Sequence, residues 1–227
     1  MICNSKELSK EFKALSKNLK VIHIYNPTLN TNFNLLSKKF KIKTEPFINK
    51  NKPILFSLGR LDYNKNNIML LRAYNKIKDK IRCNIVLMGD GNEKNMLLDY
   101  AKKNNFEKNF FIFSFQKNPY PYFSKSDILI LTSRTEGLPN VLIKALALKK
   151  FVISTKCPTG PKEILLNGKA GFLVNNDDYE DLANKIRIYF QKPEIVKKKK
   201  KNIKKSLLQF SPVKSLNKYQ EIVDNII

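Results

Sequence analysis

The amino-acid sequence predicts an α/β fold with a doubly wound parallel sheet. From about Lys52 to Phe190, short apolar runs alternate with segments whose apolar residues recur at helical spacing. The runs are continuous rather than alternating with polar residues, which is typical of parallel strands buried on both faces. Right-handed crossovers between such strands give a Rossmann-like layer, in which ligands bind beyond the carboxyl ends of the strands.

The predicted elements follow this alternation, and the two ends of the chain differ from it. The predicted strands are residues 53–58, 84–88, 110–115, 127–131, 151–154 and 171–174, and the predicted helices are residues 67–77, 96–101 and 141–148. Outside this core, residues 1–20 are predicted as one lysine-rich helix, 20–25 as a short strand, 28–50 as a helix plus linker, and 213–226 as a last helix. We therefore divide the chain into residues 1–50, 51–192 and 193–227.

Charge is the unusual feature of the composition. The 227 residues include 43 Lys and Arg against 19 Asp and Glu, a formal net charge of +24. Such a surplus favours an anionic partner, either nucleic acid, anionic lipid or phosphorylated sugar. A coding bias toward A and T, which enriches Lys and Asn throughout a sequence, also explains the surplus. Because the lysines are scattered rather than confined to one stripe, this second explanation is favoured.

Cysteine usage and hydropathy point to a cytoplasmic protein that can also touch the inner face of a membrane. The three cysteines, Cys3, Cys83 and Cys157, are odd in number and widely spaced, which suits a reducing compartment. One histidine and no clustered cysteines leave no zinc site, and we expect no bound metal. No apolar run approaches the roughly 20 residues that span a bilayer, and no signal peptide is recognised.

The first candidate site follows the first core strand, at Gly59-Arg60-Leu61 and Lys65. Glycine lets the backbone approach a ligand closely, and the two cations lie where a strand end meets a helix start. Arginine forks onto phosphate oxygens, lysine adds a point charge, and the helix N-terminus adds backbone donors. The alternative is an ordinary turn with solvated cations.

Two other loops after strands carry turn residues. Gly89-Asp90-Gly91 follows the strand 84–88, and its alternative is a turn in which the aspartate caps the next helix. The loop 157–164 places two prolines around Thr159-Gly160, and Glu163 is predicted to begin a short helix there. His23 lies in an apolar strand and is interpreted as structural.

The strongest motif runs from Thr132 to Asn140 and leads into an apolar helix. A carboxylate at a strand end, followed by glycine and a helix start, suits sugar recognition. Glu136 can accept hydrogen bonds from two hydroxyls, while the amides of Leu138 and Asn140 can face a phosphate. The alternative is that Glu136 merely caps the helix and interacts with its dipole.

Together these loops resemble one family, the retaining glycosyltransferases classed as family 4 (glycosyl transferases group 1), which have the GT-B fold. The resemblance runs from about residue 53 to residue 177. Its pieces match in order and spacing as a set, which is more specific than any one of them. They are Gly59-Arg60-Leu61 with Lys65, Gly89-Asp90-Gly91, and residues 118–122, 133–140 and 157–165.

The resemblance implies a nucleotide-sugar donor, UDP- or GDP-linked, and transfer of a hexose-type sugar with retention. Arg60 and Lys65 are implied to hold the donor diphosphate, and Glu136 is the catalytic candidate that contacts sugar hydroxyls. No metal is needed, because cations and a helix N-terminus offset the charge of the leaving group. The full set of donor-binding candidates is Gly59, Arg60, Lys65, Gly89, Gly91, Glu136, Gly137, Leu138, Pro139, Asn140 and Lys144.

Two substitutions depart from the family pattern. A second glutamate usually follows Glu136 by eight positions and takes the ribose hydroxyls, but that position here is Lys144. Lysine offers only donors, so either donor binding is weakened and the charge acts on the ribose end, or the side chain turns to solvent. Ser114 stands where relatives often have glycine, and its side chain could crowd the nucleobase.

Length is the third departure. GT-B enzymes place the active site between two Rossmann-like domains, and residues 1–27 resemble only the tail of the N-terminal one. We therefore expect residues 1–50 to be a remnant of the acceptor domain with its linker. The acceptor site would then be absent, and the last helix would expose its apolar face.

Several hypotheses stay open. The chain is a glycosyltransferase of envelope glycan or glycolipid synthesis that needs an acceptor domain on a separate polypeptide, or a catalytically inactive nucleotide-sugar-binding remnant or module. A basic nucleic-acid-binding protein is the remote alternative, since no nucleic-acid-binding module is recognised. The run from Lys197 to Lys201 either contacts anionic lipid or forms a solvated helix face.

Overall fold

The computed structural model describes residues 1–15, 18, 20–29, 32–38, 42, 44–47 and 52–225. Parts of the predicted segments 1–20, 28–50 and 213–226 lie outside these residues. The strands are β1 (Ile2–Cys3), β2 (Ile22–His23), β3 (Ile54–Leu58), β4 (Asn84–Met88), β5 (Phe110–Phe113), β6 (Ile128–Leu131), β7 (Phe151–Thr155) and β8 (Phe172–Val174). The six strands from β3 to β8 form one parallel sheet, so the predicted α/β fold is confirmed.

The order of strands in this sheet is β5-β4-β3-β6-β7-β8. The chain runs outward from β3 to one edge, returns to pair β6 beside β3, and then runs to the other edge. The connections after β3 and β6 therefore leave in opposite directions and open a crevice at the carboxyl end of the sheet. The candidate site at Gly59-Arg60-Leu61 with Lys65 follows β3, and the strongest motif, from Thr132 to Asn140, follows β6. The topology therefore brings both to that crevice.

Alternation along the strands builds a core on each face of the sheet. Leu55 belongs to a cluster that packs under α3 (Asn67–Asn75), α4 (Lys94–Lys103) and α8 (Tyr179–Gln191). Its neighbours Ile54 and Phe56 belong to the cluster on the other face, under α5 (Tyr120–Lys125), α6 (Asn140–Ala147), α7 (Pro161–Ile164) and α10 (Ile203–Leu207). Because both faces are covered, both sets of side chains are apolar. These helices and their neighbours are α1 (Lys6–Leu15), α2 (Phe33–Leu36), α3 (Asn67–Asn75), α4 (Lys94–Lys103), α5 (Tyr120–Lys125), α6 (Asn140–Ala147), α7 (Pro161–Ile164), α8 (Tyr179–Gln191), α9 (Pro193–Lys200), α10 (Ile203–Leu207) and α11 (Pro212–Asp224).

Among the described helices of the core, residues 51–192, the predictions lack α5 and α8. Helix α5 is only six residues long and carries Pro121 in its first turn, a position that tolerates proline because its amide needs no intrahelical partner. Helix α8 starts at a side-chain cap, where Asp178 accepts a hydrogen bond from the amide of Asp181 at 2.9 Å. Its Leu182 and Ile186 are fully buried against the sheet.

The prediction of a single helix over residues 1–20 is wrong at its start. Strand β1 comes first and pairs in parallel with β2, with Cys3 opposite His23. Ser5 then begins α1, and its hydroxyl oxygen accepts a hydrogen bond from the amide of Leu8 at 3.2 Å. The pairing with β2, twenty residues along the chain, overrides the local helical preference of the first residues. Residues 1–25 therefore contain a small β-α-β unit.

The last helix, α11, begins at Pro212 and leaves apolar side chains in solvent. Val213 is 64% exposed and Leu216 is 56% exposed, as predicted for a helix with little to pack against. None of the described helices is long and apolar enough to cross a membrane.

His23 is held neutral in the β-α-β unit. Burial and the nearby charges of Lys218 and Lys6 lower the pKa of the imidazole to about 4. The ring meets that of Tyr25 edge to face at 4.3 Å between centroids, and Nε2 is buried with no hydrogen-bond partner among the described residues. This environment fits the structural role that was inferred from the sequence.

We predict that His23 makes the folded state sensitive to mild acid. The unfolded chain protonates the imidazole near pH 6.5, whereas the folded chain does so only near pH 4, so stability falls as the pH drops between these values. The free energy of unfolding, measured with urea, should fall between pH 7 and pH 5 by about 1 kcal/mol more in the native protein than in His23→Asn. This value allows for the partial exposure of the ring. Equal losses in the two proteins would contradict the assignment.

Candidate functional site

The loops that follow β3, β4 and β5 meet the start of α5 and one face of α6 around a cavity of about 460 Å³. The cavity lies at the carboxyl end of the sheet, where the topology opens the crevice. Four of the predicted donor-binding residues line it, together with side chains that were not predicted. The lining comprises Leu58, Gly59, Arg60, Met88, Gly89, Asp90, Phe115, Gln116, Lys117, Pro119, Tyr120 and Lys144.

Two glycines after β4 let this loop approach the loop after β3 closely, beside the cavity. A Cβ atom on Gly89, whose φ is +145°, would lie 1.9 Å from the carbonyl oxygen of Gly59, and one on Gly91 would lie 2.1 Å from that of Leu61. The amide of Gly59 bonds to the carbonyl of Met88 at 3.0 Å. These two loops therefore touch backbone to backbone, which only glycine permits here.

Cations outnumber carboxylates around the cavity. Arg60, Lys117 and Lys144 contribute three positive side chains, and Asp90 is the single carboxylate among the lining residues. The side chain of Arg60 is 75% exposed and pairs with Asp62 at 3.1 Å, so it is free to turn toward a ligand at modest cost. This balance favours an anionic ligand such as a phosphate ester.

Glu136 lies beside this cavity and is held by two side chains. Its Oε1 accepts hydrogen bonds from Lys65 Nζ at 2.5 Å and from Ser133 Oγ at 2.7 Å. The side chains of Lys65 and Glu136 are 20% and 13% exposed, so water screens this pair only partly. Helix α6 begins four residues later behind Pro139, and no side-chain cap is present at that end. The capping alternative for Glu136 is therefore wrong.

A short ladder of polar contacts sets the position of this pair. Asn64 accepts hydrogen bonds through Oδ1 from the amide of Thr135 at 3.1 Å and from its hydroxyl at 2.6 Å. The hydroxyl of Thr132 donates to the carbonyl of Lys65 at 2.9 Å. The loop after β3 and the loop after β6 are thus joined on both sides of the Lys65–Glu136 contact.

The segment from Gly137 to Asn140 contributes backbone rather than side chains. Leu138 and Pro139 are buried, and the Oδ1 of Asn140 accepts a hydrogen bond from the hydroxyl of Thr28 at 2.8 Å. Within the described part of the chain, the amides of Leu138 and Asn140 bond to no protein acceptor. These amides lie at the start of α6, where a helix attracts anions.

Of the two orientations that the sequence left open for Lys144, the structure shows the side chain facing the cavity. It lies one turn into α6, is only partly exposed, and lines the cavity with its ammonium 5.9 Å from the centroid of the Tyr120 ring. Ser114, by contrast, is exposed and lies outside the cavity wall, which is formed instead by Phe115, Gln116 and Lys117.

The loop after β7 packs against Glu136 from the far side. The hydroxyl of Thr159 donates to the carbonyl of Glu136, and a Cβ on Gly160 would lie 2.4 Å from the carbonyl of Gly137. Burial raises the pKa of the Cys157 thiol, so this cysteine is a poor nucleophile here. Helix α7 begins at Pro161, two residues before the predicted start at Glu163.

Glu163 instead ties this loop to the β-α-β unit. Its Oε2 accepts hydrogen bonds from the hydroxyl of Tyr25 at 2.8 Å and from the amide of Lys6 at 3.2 Å. Burial raises the pKa of the Glu163 carboxyl, and these two donors act in the opposite direction. Glu7 adds a third contact, accepting from the amide of Gly160 at 2.9 Å.

Sequence reasoning missed the residues that act through other residues. Ser133 and Asn64 were not assigned because nothing in their local pattern marks a partner seventy positions away or the orientation of a neighbouring carboxylate. Tyr120 belonged to a quoted motif but received no role. A hydroxyl three positions before a glutamate was the one available signal for Ser133.

The sheet, its switch-point crevice and the loops around it define a Rossmann-like domain of the GT-B type. The family profile of glycosyl transferases group 1 matches residues 38–206, and the chain belongs to this family. It is 32% identical over 170 residues to an uncharacterised glycosyltransferase of Methanocaldococcus jannaschii, covering 71% of this chain and 40% of that protein. It is 33% identical over 160 residues to the N-acetylgalactosamine-N,N'-diacetylbacillosaminyl-diphospho-undecaprenol 4-alpha-N-acetylgalactosaminyltransferase of Campylobacter jejuni, covering 70% of this chain and 43% of that protein.

Solved structures show the same fold. HepE of Anabaena, in complex with UDP and glucose, superposes with a TM-score of 0.82 at 20% identity, covering 99% of this chain and 62% of HepE. A glycosyltransferase from Rickettsia africae gives a TM-score of 0.76 at 21% identity, covering 99% of this chain and 63% of that structure. The chain thus spans about two fifths of the length of the two curated relatives and about three fifths of these two structures.

We predict strong energetic coupling between Lys65 and Glu136. Removing one partner leaves the other as a largely buried, unpaired charge. In a double-mutant cycle of Lys65→Met and Glu136→Gln, the two single mutants should together lose about 1–3 kcal/mol more free energy of unfolding than the double mutant does. Urea denaturation of the four proteins measures the coupling.

The matched control is the ion pair Lys76–Glu180, in which the two side chains are 55% and 68% exposed. Its coupling energy should stay below about 1 kcal/mol because water screens it. Equal coupling in the two pairs would show that the contact at Glu136 has no special weight.

Proposed function

We propose that this chain provides the donor-binding part of a glycosyltransferase, which transfers a hexose-type sugar from a UDP- or GDP-linked donor with retention. The observation that carries the proposal is the meeting of Arg60, Lys65 and Glu136 at the carboxyl edge of the sheet, beside a cavity with a cationic wall. Such an arrangement offers cations to a diphosphate and a carboxylate to a sugar. Family membership supports it.

The phosphate end of the donor is assigned to the cations and the helix start. Arg60 can fork onto two phosphate oxygens, and the unpartnered amides at the start of α6 can donate to others. As the glycosidic bond breaks, negative charge develops on the diphosphate, and these groups would stabilise it without a metal ion. Lys65 lies close enough to contribute while it still holds Glu136.

The sugar end is assigned to Glu136. The hydrogen bonds from Lys65 and Ser133 both end on Oε1. Its other carboxylate oxygen, Oε2, has no partner among the described residues and can accept hydrogen bonds from sugar hydroxyls. The pairing with Lys65 keeps the carboxylate oriented, so this acceptor is in place before the donor arrives.

The acceptor is assigned to another domain, because the chain spans only 40% and 43% of the lengths of two relatives. That domain belongs either to the same protein or to a separate polypeptide. The Campylobacter relative is named for action on a diphospho-undecaprenol acceptor. This likeness supports the proposal that the present protein acts in envelope glycan or glycolipid synthesis, at the inner face of the membrane.

A second candidate function is a nucleotide-sugar-binding module without turnover. The observation that favours it is Lys144, a cation on the cavity wall where the family resemblance implies a carboxylate for the ribose hydroxyls. A site without that acceptor would hold donors weakly. Binding without transfer to any acceptor would then be the whole activity.

We predict that calorimetric titration will detect one nucleotide, UDP or GDP, at about micromolar strength, which corresponds to about −8 kcal/mol. Lys144→Glu should strengthen this binding roughly tenfold, because the new carboxylate accepts hydrogen bonds that lysine cannot. Titration with the sugar conjugates of the preferred nucleotide then identifies the donor.

Lys102→Glu on α4 makes the same change in net charge on the opposite face of the sheet and should leave the affinity unchanged. If neither the native protein nor Lys144→Glu binds any nucleotide or conjugate, the donor assignment is wrong. If the native protein binds and Lys144→Glu binds no better, the lysine belongs to a working site and the inactive-remnant hypothesis loses its support.

A further inference from the structure

A second and larger concavity lies on the face of the sheet that α6 covers. It has a volume of about 1220 Å³ and runs between the C-terminal end of α6, helix α10 and the start of α11. Its walls are mostly aliphatic, with lysines among them. The lining comprises Pro27, Leu29, Leu146, Ala147, Lys149, Lys200, Ile203, Lys204, Leu207, Leu208, Ser211, Pro212, Val213 and Leu216. We call this surface the aliphatic groove.

Three side chains of the aliphatic groove project into solvent instead of filling it. Leu208 is 59% exposed, Val213 64% and Leu216 56%. Val213 and Leu216 are three positions apart on α11, so they share one helix face. Contiguous aliphatic surface of this kind marks a site of interaction with a partner or a membrane.

The charge at the groove is of one sign. Lys149, Lys200 and Lys204 are exposed at its rim, and none of the described lining residues is acidic. Residues 192–210 contain eight lysines and one glutamate, so the rim continues into a basic surface. The long aliphatic stems of lysines can cover apolar surface while their ammonium groups reach anionic groups beyond it.

These features select among the possible occupants. A protein partner, including an acceptor domain that packs against α11, is one possible occupant. Cores of protein interfaces are enriched in aromatic residues, methionine and arginine and depleted in lysine, whereas the described lining of the groove contains only aliphatic side chains, lysine, proline and serine. This composition disfavours a protein partner. A second copy of this chain would bring its own lysines against those of the first, and the like charges would repel. Aliphatic side chains surrounded by lysines match the layered chemistry of an anionic bilayer surface.

We propose that the aliphatic groove docks the protein on an anionic lipid bilayer. Leu208, Val213 and Leu216 enter the boundary between headgroups and acyl chains, and the rim lysines contact lipid phosphates. Helix α6 joins the two sites, with Asn140 at the proposed donor site and Ala147 at the groove, about 10 Å apart along the helix. The docking does not depend on the identity of the donor or on turnover.

Vesicle sedimentation of the full chain tests the proposal. The protein should bind phosphatidylcholine vesicles that contain about one third phosphatidylglycerol, and bind roughly tenfold more weakly to phosphatidylcholine alone and in high salt. Leu208→Glu/Leu216→Glu should weaken binding to the anionic vesicles at least about tenfold, since carboxylates would have to enter the interface. Both positions are more than half exposed, so the variant should keep the native circular dichroism.

Helix α4, on the opposite face of the sheet, supplies the matched control. Leu98→Glu/Lys102→Glu also changes exposed side chains and adds more negative charge than the groove variant, yet should bind vesicles as the native protein does. Equal losses in the two variants would mean attraction by net charge alone and would overturn the proposal. No binding to anionic vesicles would also overturn it, as would a native dimer that the groove variant converts to monomer, which would assign the groove to a second copy.

Discussion

The contact between Lys65 and Glu136 joins the two loops on which the donor crevice is built. One loop follows β3 and the other follows β6, and these strands are neighbours only because the chain reverses direction across the sheet. The segment that carries Lys65 and the segment that carries Glu136 lie 71 residues apart in sequence, and both thereby reach the same edge of the sheet. The contacts of Asn64 with Thr135 repeat the connection, so the crevice is fixed by polar bonds between loops as well as by packing beneath them.

A third loop, after β7, connects this crevice to the start of the chain. Gly160 packs on Gly137, while Glu163 and the amide of Gly160 bond to Tyr25, Lys6 and Glu7 of the β-α-β unit. The unit therefore rests on the same loop that supports Glu136. A two-stranded sheet is too small to be stable on its own, so these contacts with the loop help to hold the β-α-β unit in place.

Helix α6 has a different role at each end. At its start, the amides of Leu138 and Asn140 have no protein acceptor among the described residues. Its middle places Lys144 on the cavity wall, and its last turn forms one wall of the aliphatic groove. A single element buried between sheet and surface thus fixes how the proposed donor site and the proposed docking surface are oriented toward each other.

The sequence by itself determined the layered α/β fold, because continuous apolar strands alternating with amphipathic segments can be buried in few other ways. It also located the loops at Gly59, Gly89 and Glu136, since glycine and charged residues at strand ends are local signals. Only the tertiary structure decided that Glu136 pairs with Lys65 and Ser133 instead of capping α6, that Lys144 turns toward the cavity, and that the first residues form a strand. Each of these outcomes depends on a partner distant in sequence or on which way a side chain turns, and residue patterns along the chain carry neither kind of information.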